Sequence, residues 1–382
     1  MISKKRVMVI DDSILFRNWL INNINSNQRF EVVGYAINAF DAKQKIPALK
    51  PDIITLDIEM PGMSGIDFLK EFLPVHPIPA ILVSSLNLRV FDALAAGAVD
   101  FVRKPDMESG QSKDLFLSTL LSKLSIASCA RVRLPRTAEP AVTTARAGTA
   151  HQIRPAGHSP FPSHGTVSSA PAGPLTGSKD TRELSFSKLS FDNDRLIAIG
   201  ASTGGTEAIL EVLTHLPAKI PGIVITQHMP PGFTSMYAER LNRLCKFEVR
   251  EAQSGDRVQP GLALIAPGGL QMKLVRMGNG YAVNCVHEDK VNGHCPSVDV
   301  LFDSVASIAR DKAIGVLLTG MGADGAAGLL RMRKNGAYTI GQDKESCIVY
   351  GMPMEAFNIG AVCKQLPLTS IAQNLLSKLA EV

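Results

Sequence analysis

The stretch IAIGASTGGTEAI, residues Ile197–Ile209, changes its hydrophobic pattern around a run of small residues. Its first part is a short apolar run typical of a buried strand, and its last part has the spacing of an amphipathic helix. The small residues between them allow a sharp turn. A strand, a tight turn and a helix in this order predict one βα unit of a parallel sheet.

The same alternation continues from this unit to the end of the chain. Six short apolar runs are predicted strands: Leu196–Gly200, Gly222–Thr226, Leu262–Ala266, Tyr281–Cys285, Ile314–Thr319 and Tyr338–Gly341. Helix-period stretches separate most of them. We therefore expect residues 193–382 to form a doubly wound α/β domain with a mostly parallel sheet, in which the segments near Leu262 and Tyr281 pair in antiparallel fashion.

Residues 1–122 alternate in the same way and predict a second domain. Five short runs rich in Val and Ile are separated by helix-period stretches: Val7–Ile10, Val32–Ala36, Ile53–Leu56, Ala80–Val83 and Phe101–Val102. Five such units predict a parallel sheet of flavodoxin-like order. Residues 123–192 lose this periodicity and are rich in Pro, Ala, Gly, Ser, Thr and Arg, so we interpret them as a flexible linker.

Charge and composition exclude several classes of function. The net charge is +5, but eight Lys or Arg and only three Asp or Glu lie between Ser125 and Ser190, so the folded segments are near neutral. That distribution argues against nucleic-acid binding. The six cysteines form no CxxC pair, which indicates reduced thiols. Since no apolar run has membrane-spanning length, we expect a cytoplasmic protein without membrane insertion.

Acidic, hydroxyl and basic residues follow the predicted strands of the first segment. Asp11 and Asp12 follow the first strand, Asp57 the third, Ser84 the fourth and Lys104 the fifth. Taken singly, each Asp is more simply a helix cap, but the carboxyl ends of parallel strands converge on one crevice. Three carboxylates there would hold Mg²⁺, beside which a carboxylate can attack a phosphoryl group. Ser84 would donate to a phosphoryl oxygen and Lys104 would supply positive charge.

The first segment resembles the receiver domains of two-component systems over its whole length. The resemblance rests on the Asp pair, on the stretch DIEMPGMSG from Asp57 to Gly65, on Ser84 and on Lys104-Pro105. It implies that Asp57 is the phosphoryl acceptor and that Phe101 is an aromatic residue that reorients on phosphorylation. The loop after Lys104 is predicted to contain a cis bond before Pro105.

The run GASTG, Gly200–Gly204, fits the G-x-S-x-G turn that carries a nucleophilic serine. Ser202 would lie at a helix N-terminus, where free N–H groups favour negative charge, and the N–H of Thr203 would donate to an oxyanion. On its own the motif fits a turn for close helix packing at least as well. A dinucleotide site is disfavoured, since Ser202 replaces the second glycine of that fingerprint and the next strand ends in His228.

A serine nucleophile needs a general base, and the domain offers four histidines. His228 follows the strand beside Ser202 and faces the same crevice. His215 lies near a helix end, where it would interact with the helix dipole, and His287 and His294 flank a polar loop. We therefore expect His228 to be the base.

The base needs an orienting acid, and Asp324 follows the strand Ile314–Thr319. Asp324 would alternatively, or in addition, cap the helix that follows Gly325. The N–H of Met321 or Gly322 would be a second oxyanion donor. A cysteine nucleophile is less well supported, because neither Cys295 nor Cys347 lies at a strand-to-helix turn.

Five stretches carry a resemblance to the chemotaxis protein-glutamate methylesterase/glutamine deamidase family, CheB. They are Ile197–Ile209, Ile225–Thr234 (ITQHMPPGFT), Asn292–Phe302 (NGHCPSVDVLF), Leu317–Gly328 (LLTGMGADGAAG) and Tyr350–Ala356 (YGMPMEA). With the receiver, the likeness covers everything except the linker. It implies the following catalytic roles: nucleophile Ser202, base His228, acid Asp324, and oxyanion donors Thr203 and Met321.

The resemblance also implies substrates and partners. The substrates would be γ-glutamyl methyl esters and certain glutamines on the cytoplasmic helices of chemoreceptors, and a chemotaxis histidine kinase would be the phosphodonor. We expect Mg²⁺ in the receiver, no cofactor in the catalytic domain, and a monomer. Two alternatives stay open at this point: a hydrolase for another ester or amide, and a response regulator whose C-terminal half only binds a partner.

Overall fold

The computed structural model of the protein describes residues 3–84, 89–132 and 194–381. Residues 133–192, most of the predicted linker, lie outside the described residues. None of the helices within these ranges is both long and apolar enough to cross a bilayer.

The first domain is a five-stranded parallel sheet with helices between its strands. In chain order its elements are β1 (Lys5–Ile10), α1 (Ile14–Asn25), β2 (Phe30–Ala36), α2 (Ala39–Leu49), β3 (Ile53–Leu56), α3 (Gly65–Phe72), β4 (Ala80–Ser84), α4 (Arg89–Ala95), β5 (Asp100–Arg103) and α5 (Gly110–Ala127). The sheet order β2-β1-β3-β4-β5 confirms the flavodoxin-like prediction. Helix α5 continues past residue 122 to Ala127.

The second domain is built on a seven-stranded sheet. Its elements are β6 (Leu196–Ala201), α6 (Gly205–Thr214), β7 (Gly222–Gln227), α7 (Phe233–Leu244), β8 (Glu248–Glu251), β9 (Arg257–Val258), β10 (Leu262–Ile265), β11 (Gln271–Met277), β12 (Gly280–Val286), α8 (Val298–Ile308), β13 (Ala313–Leu317), α9 (Ala326–Lys334), β14 (Tyr338–Gln342), α10 (Met352–Asn358), β15 (Lys364–Leu366) and α11 (Leu368–Ala380). The order is β15-β14-β13-β6-β7-β10-β8. Every strand pair in this sheet is parallel, which confirms the predicted α/β class.

The predicted antiparallel pairing of the segments near Leu262 and Tyr281 is wrong. Strand β10 pairs in parallel with β7 and β8, while Tyr281 on β12 pairs in antiparallel fashion with β11 and β9. The segment Leu262–Ile265 is buried throughout, so it takes an interior place in the parallel sheet. Strand β12 instead forms a local hairpin with β11, a strand that is not among the six predicted from the sequence.

The order of the strands brings three loops to one crevice. Strand β6 lies between β7, which follows it in the chain, and β13, which comes much later. The strands that follow β6 in the chain are thus added first on one side of it and later, from β13 onward, on the other side. A parallel sheet opens a crevice at the carboxyl ends of its strands at such a point. The loops after β6, β7 and β13 carry Ser202, His228 and Asp324.

Candidate active site and phosphoacceptor site

The structure brings the predicted acidic residues of the first domain together. Carboxylate oxygens of Asp11, Asp12 and Asp57 all lie within 4.8 Å of one another. Lys104 Nζ lies 2.5 Å from Asp57 Oδ2. Ser84 is buried at the end of β4, and its carbonyl accepts the Lys104 N–H at 2.8 Å. The described residues have their cis bond before Pro296, so the prediction of a cis bond before Pro105 is wrong.

The charge balance of this cluster leaves room for a cation. Burial raises the pKa of Asp57, and the hydrogen bond and charge of Lys104 only partly oppose that rise, while Asp11 adds to it. Among the described residues, the buried Oδ2 of Asp11 has no hydrogen-bond partner, although Lys104 Nζ lies 2.9 Å away. Three converging carboxylates that share the single ammonium of Lys104 are the donor set that Mg²⁺ prefers. The residues therefore fit that ion.

The turn after β6 places the hydroxyl of Ser202 at the start of α6. Gly204 has a φ of 77°, and a Cβ there would lie 2.7 Å from the side chain of Ile348, so this position requires glycine. The N–H of Ser202 donates to the carbonyl of Thr319 at 3.0 Å. A Cβ on Gly320 would lie 2.7 Å from Ser202 Cβ, so the loop after β13 touches the nucleophile candidate directly.

Ser202, His228 and Asp324 form one chain of hydrogen bonds. Ser202 Oγ lies 3.1 Å from His228 Nδ1, and His228 Nε2 lies 2.7 Å from Asp324 Oδ2. Since a carboxylate only accepts, Nε2 carries the hydrogen and Nδ1 is free to accept from the serine. The His228 N–H donates to the carbonyl of Ala201 at 3.1 Å, which fixes the backbone of the histidine beside the serine turn.

Asp324 is held by donors at the N-terminus of α8. Its Oδ1 accepts from Asn292 Nδ2 at 2.8 Å and from Ser297 Oγ at 2.7 Å, and its Oδ2 accepts the Val298 N–H at 2.7 Å. The sequence reading offered a cap of the helix after Gly325 as an additional role for Asp324. The structure instead places this carboxylate at the free N–H groups of α8, where the helix dipole favours negative charge.

The surroundings of Asp324 keep it ionised. Burial alone would raise its pKa, but the hydrogen bond and charge of His228, with the hydrogen bonds from Asn292 and Ser297, hold the pKa well below its usual range. An acid with these partners can orient His228 and balance the charge of its imidazolium form without taking its proton.

This lowered pKa predicts how stability depends on pH. In the unfolded chain Asp324 has a pKa of about 3.9, so its carboxylate contributes stability fully above that pH and loses it as pH falls toward the lower folded-state pKa. The free energy of unfolding of Asp324→Asn should therefore differ most from wild type near neutral pH, with a difference that shrinks below about pH 4. Urea unfolding followed by circular dichroism measures this. Asp289→Asn, at an exposed site, is the control, and a pH-independent difference for Asp324→Asn would contradict the assignment.

The two predicted oxyanion donors lie on either side of the serine. Thr203 follows Ser202 directly, and Met321 follows Gly320, the residue that touches Ser202. Within the described ranges, neither the N–H of Thr203 nor that of Met321 donates a hydrogen bond. Both are therefore available to a developing negative charge.

The other candidate nucleophiles and bases are less suited to catalysis. His215 ends α6, with Nδ1 at 2.7 Å from the carbonyl of Glu211, and His287 is exposed. Burial raises the pKa of the Cys347 thiol to about 12, and burial also raises the pKa of Cys295. Neither thiol would be ionised near neutral pH.

The α4–β5–α5 side of the first domain packs against the serine site. Asp100 Oδ2 accepts a hydrogen bond from Thr203 Oγ1 at 2.7 Å, and Asp100 Oδ1 pairs with Lys123 at 2.5 Å. Beside it, the rings of Phe101 and Phe233 have centroids 4.6 Å apart. Sequence reasoning identified Phe101 but missed Asp100, since an acid at the start of a strand carries no distinctive pattern.

Comparisons with known proteins find matches to two families along the chain. Residues 197–375 match the family described as CheB methylesterase, and residues 7–111 match the response regulator receiver domain family. A protein-glutamate methylesterase/protein-glutamine glutaminase 2 of Syntrophomonas wolfei is 48% identical over 370 residues, which cover 97% of this chain and 96% of the relative. A protein-glutamate methylesterase/protein-glutamine glutaminase of Salmonella typhimurium is 42% identical over 382 residues, with coverage of 99% and 98%.

Two solved structures are similar to parts of this chain. The catalytic domain of Thermotoga maritima CheB methylesterase is 37% identical and covers 48% of this chain and 98% of its own, with a TM-score of 0.47. The response regulator domain of Thermotoga maritima CheB is 38% identical and covers 33% of this chain and 97% of its own, with a TM-score of 0.31.

Proposed function

Because the chain belongs to the CheB family of protein-glutamate methylesterases/protein-glutamine glutaminases with a receiver domain, we propose that phosphorylation of Asp57 activates a serine hydrolase centred on Ser202. Its substrates are glutamate methyl esters and specific glutamines on the cytoplasmic helices of chemoreceptors, and its role is adaptation in bacterial chemotaxis. The observation that carries this proposal is the hydrogen-bond chain from Ser202 through His228 to Asp324.

In the first half of the reaction the serine is acylated. Ser202 Oγ attacks the γ-carbonyl carbon of the ester, and its proton passes to His228 Nδ1. The resulting imidazolium keeps its Nε2–H on Asp324, and the N–H groups of Thr203 and Met321 stabilise the tetrahedral oxyanion. When the intermediate collapses, methanol leaves with the proton from His228 and the glutamyl group stays on Ser202.

In the second half water releases the product. His228 takes a proton from a water molecule, which attacks the acyl carbon, and Ser202 Oγ leaves with that proton to regenerate the hydroxyl. The product is a glutamate side chain. A glutamine substrate follows the same path with ammonia as the first leaving group, which accounts for both activities at one site.

A mechanism-based serine reagent tests this assignment in the full chain. With a small-molecule phosphodonor present, the reagent should label the peptide that contains Ser202. Among the serines that the structure describes, only Ser202 donates a hydrogen bond to a histidine that is paired with an acid. A chain that takes no label at any serine would instead favour a partner-binding module with a structural turn at Ser202.

In the receiver, Asp11, Asp12 and Asp57 would hold Mg²⁺, which offsets the charge of an incoming phosphoryl group. Lys104 holds the Asp57 carboxylate in place, and the hydroxyl of Ser84 donates to a phosphoryl oxygen once the group is attached. A chemotaxis histidine kinase is the proposed donor. We expect the enzyme to act as a cytoplasmic monomer.

Removal of Mg²⁺ should separate the two sites. EDTA should block phosphate uptake by Asp57, because three neighbouring carboxylates disfavour an added anion, and should leave the basal esterase rate unchanged. Phosphate incorporation and methanol release measure the two effects, and added Mg²⁺ should restore the first. A basal rate that falls in EDTA would show that the catalytic domain needs a metal.

One strand connects the phosphoacceptor with the serine site. Lys104, which contacts Asp57, directly follows β5, and β5 also carries Asp100 and Phe101 against the catalytic domain. We propose that phosphorylation draws Lys104 and Ser84 toward the phosphoryl group and shifts β5, which weakens the contact of Asp100 with Thr203. The population then moves toward a form with an open crevice.

A further inference from the structure

A second histidine lies against the proposed general base. The rings of His294 and His228 have centroids 3.6 Å apart and planes only 11° from parallel. Among the described residues, neither ring nitrogen of His294 forms a hydrogen bond, so this ring touches the site through its face. In the sequence analysis, His294 is assigned only to a polar loop.

The loop that carries His294 is fastened at several points. Val291 and His294 exchange backbone hydrogen bonds of 3.0 and 2.9 Å. Buried Gln271 donates from Nε2 to the carbonyl of His294 at 3.1 Å, and its Oε1 accepts the Ser297 N–H at 2.8 Å. Asn292 on the same loop donates to Asp324 at 2.8 Å. These hydrogen bonds connect the orienting acid and the stacked ring through one loop.

The hydrogen bonds of His228 leave one motion of its ring unrestrained. Its partners, Ser202 at Nδ1 and Asp324 at Nε2, define a line through the ring. A ring held at two points can still tilt about that line, and tilting would turn the in-plane lone pair of Nδ1 out of line with the serine O–H. The stacked face of His294 is a third contact off the line, so it sets the plane of the ring.

The charge of the stacked ring also suits this position. Burial and, to a smaller extent, the neighbouring His228 lower the pKa of His294 to about 4, against an opposing effect of Asp324. The His294 side chain is therefore neutral near neutral pH. The face of a neutral aromatic ring stabilises an adjacent cation, and His228 becomes a cation when it takes the serine proton.

We propose that His294 is a positioning residue for the reaction, which fixes the plane of the His228 imidazole and stabilises its imidazolium form through ring stacking. This inference rests on the proposed function, since it requires His228 to be the base. It predicts that the ring of His294 matters and that its nitrogens do not.

Substitution in the full chain with a small-molecule phosphodonor tests the role. His294→Ala should lower kcat for methanol release by about 10- to 100-fold, a fraction of the 10²- to 10⁴-fold typical of a general base, with KM nearly unchanged. His294→Phe, which keeps a stacking ring, should restore kcat to within about threefold of wild type, well above the alanine variant. His287→Ala, at an exposed site in the same domain, is the matched control and should resemble wild type.

The outcomes separate this inference from the proposed function. A wild-type kcat in His294→Ala overturns the positioning role, and so does a phenylalanine variant as slow as the alanine variant, because a ring nitrogen would then be required. In either case Ser202→Ala would still be inactive. Activity in Ser202→Ala would instead overturn the proposed function itself.

Discussion

Replacement of Ser202 by alanine is expected to lower methanol release from methylated receptors by about a thousandfold to a millionfold, the range set by other serine hydrolases. The hydroxyl is the proposed nucleophile at the end of the hydrogen-bond chain, and the thiols of Cys295 and Cys347, the alternative nucleophiles, have raised pKa values. The measurement is the rate of methanol release by the full chain under a phosphodonor. His228→Ala should fall almost as far, because triad members act as a unit.

Ser307→Ala provides the matched control for this prediction. Ser307 lies exposed on α8 in the same domain, where its hydroxyl donates to the carbonyl of Asp303 at 2.9 Å. This variant should keep the wild-type rate. If Ser202→Ala kept that rate as well, the triad assignment would be wrong.

Loss of the Asp100 side chain is expected to raise the basal esterase rate of the unphosphorylated chain by about 5- to 150-fold, the span of ordinary coupling free energies. Asp100→Ala removes the carboxylate that accepts the hydrogen bond of the Thr203 hydroxyl, next to Ser202. Removal of residues 1 to 125 deletes the whole contact with the first domain, so it should raise the rate at least as much. The second domain should still fold, because it has a hydrophobic core of its own residues. The rate of methanol release without a phosphodonor measures both.

Two further variants define what this result means. Asp114→Ala, at an exposed site on α5, should leave the basal rate unchanged. Asp57→Asn should stay at the basal rate under a phosphodonor. A truncated chain no faster than the unphosphorylated whole would contradict inhibition by contact, and the receiver would then have to act as a positive activator or by recruitment to the receptor.

Much of the fold was predictable because the sheets are parallel. Strands such as Ile53–Leu56 and Leu196–Ala201 are buried on both faces and stand out as apolar runs between helix-period stretches. The hairpin β11–β12 was harder to find, since Gln271–Met277 mixes buried and exposed residues. Its partner strands cannot be read from local pattern alone.

The arrangement of the site was predictable where a residue lies in the turn or loop that follows a strand. Ser202, His228 and Asp324 are of this kind, because the carboxyl ends of neighbouring parallel strands share one crevice. His294 and Asn292 reach the same crevice from a loop whose course depends on tertiary contacts with Gln271 and Asp324. Neither hydrophobic periodicity nor residue spacing predicts that such residues lie at the site.

The contact between the domains could not be predicted for a similar reason. It pairs residues far apart in the chain, as Asp100 with Thr203 and Phe91 with Tyr237, whose ring centroids are 5.4 Å apart. Each of these residues is ordinary within its own element. Their role depends on the residues of the other domain that they contact, which a local sequence pattern does not show.

The most direct test of a phosphorylation-activated serine site is the rate at which a small serine reagent labels Ser202 with and without a phosphodonor. A small reagent needs no receptor docking, so its rate reports access to the serine itself. We expect wild-type labelling to accelerate when Asp57 is phosphorylated and Asp57→Asn labelling to stay at the slow rate. Equal labelling rates in the phosphorylated and unphosphorylated wild type would contradict the account, because phosphorylation would then leave the crevice as it was.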